Sequence, residues 1–82
     1  MNAKSVLQDW VIDAVKAQGG TAQLLDVCKY IWKHHESDLR ASGDMFFTWQ
    51  YDTRWAAQKL RDAGKLEPLN NDRRGLWRLK RP

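Results

Sequence analysis

At 82 residues the chain has room for one hydrophobic core and not for two, so a single domain over residues 1–82 is expected. Hydrophobic residues at 43% and charged residues at 29% are ordinary globular values, which excludes wholesale disorder. The net charge of +4 is unevenly placed: residues 1–45 carry −1 and residues 46–82 carry +5, so a polyanionic partner is expected to meet the second half.

No apolar run approaches the ~18–20 residues that span a bilayer, and no membrane partner is expected. Asp9 interrupts the stretch where a signal peptide needs unbroken apolar residues. The single cysteine, Cys28, has no partner for an intramolecular disulfide, and a reducing, cytoplasmic setting is expected.

Leu7, Trp10, Val11, Ala14 and Val15 recur at helical spacing and predict a first helix, with Gln8, Asp9, Asp13 and Lys16 on its other side. Asn2 or Ser5 can cap its start, and Gly19-Gly20 stops it. Thr21 and Ala22 are too few for a strand on propensity, yet one bridge-like pairing is expected there. A second helix is predicted from Ala22 or Gln23 to His35, with Leu24, Val27, Cys28 and Ile31 as its inner stripe. Cys28 in that stripe reads as a small buried hydrophobe. His34 and His35, being adjacent, point to different sides and do not chelate one metal.

Glu36–Phe47 reads as a connection, with a turn at Ser42-Gly43-Asp44 and with Leu39 and Phe46 or Phe47 anchoring it to the core. Thr48 is expected to cap a third helix that runs to Ala63 and stops at Gly64. At about 100° per residue, Leu60, Thr53, Ala56, Ala57 and Trp49 share the inward side, with Ala63 at its edge. Tyr51, Arg54, Trp55, Gln58 and Arg61 take the outward side. Two extended runs follow, Lys65–Asn70 and Gly75–Lys80, joined by Asn71-Asp72-Arg73-Arg74 as a basic β-hairpin. Leu66, Trp77 and Leu79 are placed inward; Leu76, Arg78 and Lys80 outward.

Nothing in the chain has the spacing of a catalytic or metal-binding constellation: there is no glycine-rich phosphate loop, and Ser5, Ser37 and Ser42 show no ordered His and acid. The expectation is therefore a non-enzyme without cofactor or metal. The fold class expected is α+β, mostly α: three helices with a small antiparallel hairpin wing, as in a winged helix-turn-helix.

Residues Arg54 to Leu79 resemble the N-terminal winged-helix domain of Mrr-like restriction endonucleases. The resemblance rests on Trp55-Ala56, Leu60, Ala63-Gly64, Leu66, and Arg74-Gly75 followed by Trp77 and Leu79. It implies three helices, an antiparallel wing and duplex DNA binding through the third helix. The nuclease domain that accompanies this module does not fit in 82 residues, so cleavage is not implied. The Glu36–Phe47 connection and the Trp49-Gln50-Tyr51 opening depart from that family. The wheel points Trp55 outward, whereas the family tryptophan is covered by the wing, and partial burial of Trp55 is expected.

The function expected is a DNA-binding module, restriction-associated or regulating transcription, acting as a monomer or weak dimer. Tyr51, Arg54 and Gln58 would face the major groove, with Lys59, Arg61, Arg73, Arg74 and Arg78 on phosphates. One alternative is a protein-interaction module, an accessory subunit that uses Tyr51, Trp55 and Phe46. Another is RNA binding by the same fold.

Overall fold

A computed structural model describes residues 3–68 and 76–80. The described chain is mostly helical: α1 (Ala3–Ala17), β1 (Thr21–Ala22), α2 (Leu24–Arg40), α3 (Met45–Asp62) and β2 (Trp77–Arg78). The helices bury most of the stripes that their periodicity predicts; in α2, Leu24 and Cys28 are half-buried rather than fully inside. Leu7, Val11, Ala14 and Val15 of α1 meet Val27 and Ile31 of α2 and Trp49, Ala56, Ala57 and Leu60 of α3 in one core. Small residues at Ala56 and Ala57 let α3 lie close to its neighbours, and it packs most extensively on α1.

Two of the helix ends are set by the same device. After α1 the Gly20 N–H donates to the Val15 carbonyl at 2.9 Å and the Gly19 N–H to Lys16 at 3.0 Å. After α3 the Lys65 N–H donates to Leu60 at 2.8 Å and the Gly64 N–H to Arg61 at 3.0 Å. Both are six-to-one closures with an inner five-to-two bond, and they require a left-handed residue, supplied by Gly19 at φ 87° and Gly64 at φ 77°. These closures turn the chain directly into β1 and into the Lys65–Glu67 arm.

The sheet differs from the expected hairpin in which arms carry the regular pairing. β1 pairs antiparallel with β2, Thr21 opposite Arg78 and Ala22 opposite Trp77, so the expected strand at Thr21-Ala22 is present. On the other edge, Leu66 and Leu79 form only an isolated bridge, flanked by Glu67 N–H to Arg78 carbonyl at 2.9 Å and Lys80 N–H to Lys65 carbonyl at 3.1 Å. Towards α3 the pairing stops because the Lys65 N–H, which would make the next bond of this ladder, is spent on closing that helix. The rest of the predicted hairpin, including Asn70, Arg73, Arg74 and Gly75, lies outside the described residues. Leu66 and Trp77 are buried and Leu79 is half-buried, as their inward placement requires.

Two boundaries move. The second helix continues past His35 to Arg40, but His35 itself is non-helical at φ −132°, ψ 21°, so its predicted end marks a break inside α2. At that break the His35 ring stacks on Trp10, 4.1 Å between centroids, and its Nδ1 lies 3.6 Å from Asp38. The short continuation buries Leu39 completely and then turns at Ser42-Gly43. The third helix begins at Met45 rather than Thr48, because Met45 is itself a core residue and Met45-Phe46-Phe47 joins the helical period. Thr48 does not cap. Its Oγ1 donates to Asp52 Oδ2 one turn on, at 2.7 Å.

Candidate nucleic-acid interface

Starting α3 at Met45 extends its outward side by a turn. Phe47, Tyr51, Arg54 and Gln58 then follow one another at intervals of four, three and four residues, the spacing that puts side chains on a single helical stripe. All four are exposed; Phe47 keeps 84% of its surface and Tyr51 62%. Gln50 flanks the stripe on one side and Trp55 on the other. Sequence reasoning missed Phe47 because it assigned that residue to a connection. The signal was present in the four-residue interval from Phe47 to Tyr51 to Trp55.

The predicted contact residues divide into three groups. Tyr51, Arg54 and Gln58 are brought together on the stripe. The Gln58 amide nitrogen donates to Asp62 Oδ1 at 3.1 Å, and its oxygen accepts from Arg61 Nη1 at 3.4 Å. Lys59 is exposed on the helix flank. Arg78 is exposed on the face of the sheet opposite Trp77 and so belongs to the outer strand surface rather than to the stripe. Arg73 and Arg74 lie outside the described residues.

Arg61 is a correction. It is half-buried, with its guanidinium carbon 5.7 Å from the centre of the Trp77 ring and its Nε buried without a hydrogen-bond partner. Burial pulls its pKa down from the ordinary arginine value, while Asp62 opposes the shift. The wheel placed Arg61 on the outward side, but the return strand covers part of it. Its role is to seat the Trp77 ring, by a cation–π contact, on the C-terminal end of α3.

Trp55 points outward and is partly covered, keeping 54% of its surface exposed, and it meets Tyr51 edge-on at 6.4 Å. The tryptophan taken into the core at this end is Trp77, not Trp55. Phe46 and Phe47 also part company. Phe46 is half-buried beside Trp32 with Arg40 over both rings at 5.6 and 5.4 Å, whereas Phe47 points out. Asp52, on the core side of α3, is buried at 5% exposure with Thr48 donating to it. Ala63, expected at the inward edge, is the exposed C-cap of α3.

The surface of α2 beside the stripe is basic and apolar. Leu25, Cys28, Lys29 and Trp32 form a shallow groove with Phe46, Trp49 and Gln50. Cys28 is half-buried there; burial pushes its thiol up, with Arg54 pulling the other way. Iodoacetamide at neutral pH should therefore alkylate Cys28 more slowly in the folded chain than in denaturant, because less thiolate is present and access is partial. Mass spectrometry over a time course measures this; equal rates would place Cys28 in open solvent.

His34 is exposed beside Tyr30, and His35 is committed to Trp10. No helix among the described residues is long and apolar enough to cross a membrane. Comparison with known protein families, with curated proteins and with solved structures finds no match to this chain.

Proposed function

We propose that this chain is a non-catalytic module of winged-helix type that binds duplex DNA through the outward side of α3. The observation that carries the reading is the stripe of Phe47, Tyr51, Arg54 and Gln58 on a helix whose other side is sunk in the core. A helix anchored in this way presents a row of side chains without moving. Arginine and glutamine in that row match the paired donors and acceptors of purine edges in the major groove. The excess of +5 in residues 46–82 supplies the sequence-independent attraction to phosphates. The helix order, the strand at Thr21-Ala22 and the antiparallel pairing around Trp77 are compatible with a winged helix, as the resemblance to Mrr-like enzymes implies. Regulation of transcription or attachment to a restriction system would both use such a module.

Lys59 and Arg78, with Arg73 and Arg74, are the residues proposed to hold phosphates. Four such contacts give a salt slope of roughly −3.6, so affinity should fall about 100-fold between 50 and 200 mM salt. The double substitution Lys59→Ala with Arg78→Ala should flatten the slope by about two units while leaving the fold intact. Fluorescence anisotropy on a random duplex pool, titrated at several salt concentrations, tests this. Absence of low-salt binding, or a slope unmoved by the double substitution, would remove the reading.

One observation favours a second reading, docking to a protein. Phe47, Tyr51, Trp55 and Leu25 are all large apolar side chains left exposed, and aromatic residues anchor protein interfaces. A saturable protein partner that survives nuclease treatment, with no duplex binding by the isolated chain, would favour it.

A further inference from the structure

The outward stripe of α3 mixes two chemistries in one row. Phe47 and Tyr51 present aromatic rings, and Arg54 and Gln58 present polar groups one turn further on. From Phe47 to Gln58 the helix advances about 16 Å at 1.5 Å per residue, which matches about five base pairs at 3.4 Å each. A ring that enters the major groove loses its water only favourably if it meets an apolar group, and the thymine 5-methyl is the apolar group on the base edges there. Glutamine pairs best with adenine, by donating to N7 and accepting from N6. Thymine methyls and adenine edges occur on the same base pair.

We infer that α3 reads an element rich in A·T pairs, with Phe47 and Tyr51 packed on thymine methyls and Gln58 on an adenine. The inference rests on the duplex-binding reading above and gives that reading a sequence class. Gln58 retains the capacity it needs. Its amide has two N–H donors, one of which is used on Asp62, and its oxygen has two lone pairs, one of which is used on Arg61. Those contacts hold the amide in place with one donor and one acceptor site left for a base. Arg54, between the rings and Gln58, is suited to guanine and adds one G·C position to the element.

The test uses the full chain and duplexes selected from a random pool. The selected duplex is compared with the same duplex carrying uracil for thymine, which removes only the methyl groups. Uracil should lower affinity about fourfold for each contacted methyl, from the transfer value of one carbon group. Phe47→Ala leaves the core untouched, since the ring is 84% exposed, and should abolish the thymine–uracil difference at one position. Arg54→Ala should weaken both duplexes equally and preserve their ratio. Equal binding of thymine and uracil duplexes by the unaltered chain would overturn this inference while leaving DNA binding intact. A Phe47→Ala variant that keeps the full ratio would overturn the assignment of Phe47. Failure to bind any duplex would overturn both the inference and the reading beneath it.

Discussion

Trp77→Ala is expected to lower the folding free energy by about 3–5 kcal/mol, the usual cost of truncating a buried aromatic residue. Trp77 is 6% exposed, stands opposite Ala22 across the sheet and receives the Arg61 guanidinium on its ring. Its removal empties the space between the sheet and the C-terminal end of α3 and exposes the guanidinium it covered. A domain of this size holds roughly 4–12 kcal/mol in total, so the loss is at least about a quarter of that stability and, at the lower end, all of it. Trp55→Ala should change stability by no more than about 0.5 kcal/mol, because Trp55 remains 54% exposed. Urea melts of the two variants side by side decide which tryptophan belongs to the core. If Trp55→Ala were the more damaging, the covering of α3 by the return strand would be wrongly assigned.

Leu60→Ala should cost about 2–5 kcal/mol through lost transfer energy and the cavity left behind. Leu60 is 1% exposed at the centre of the core, where α3 turns into its glycine closure. Gln58 lies two residues away on the opposite side, and Gln58→Ala should shift stability by no more than roughly 0.5 kcal/mol while weakening duplex binding. Its hydrogen bonds to Asp62 and Arg61 are exposed and contribute little to the fold. Thermal melts read beside a binding titration separate the two effects. A Leu60→Ala chain that stays fully stable but no longer binds would mean that the contact face has been placed on the wrong side of the helix.

The inward faces of all three helices were legible in the residues alone. Burial along a helix repeats every three to four positions, and Leu7, Val11, Val27, Ile31, Ala57 and Leu60 carry that repeat without interruption. The glycine stops were legible for a similar reason. A left-handed closure must be made where a glycine stands, and Gly19 and Gly64 each come four positions after the last buried residue of their helix, Val15 and Leu60. The strand at Thr21-Ala22 was expected from the order of elements; two residues have too little propensity to declare themselves.

Boundaries near the middle of the chain were less legible. His35 ends one helical run by its dihedral angles, yet Leu39 needs burial and draws the chain into a further turn. Met45-Phe46-Phe47 read as a connection because three consecutive apolar residues have no amphipathic period. Once Met45 is buried beside the core, Phe46 falls at its edge and Phe47 in solvent. That choice brought Phe47 into line with Tyr51, Arg54 and Gln58.

The sequence by itself determined the three amphipathic helices, the glycine stops of the first and third, and the basic second half, because each depends on residues within a few positions of one another. Only the tertiary structure decided the fate of residues at the edge of a stripe. Arg61 and Trp55 both stand on the outward side of one helix, yet Arg61 is half-buried under Trp77 while Trp55 stays exposed. The difference is made by a strand that returns sixteen positions after Arg61, pinned by Ala22 on the far side of the sheet. Periodicity measures a residue's angle about its own helix axis, and it carries no information about what a distant segment will lay over that angle.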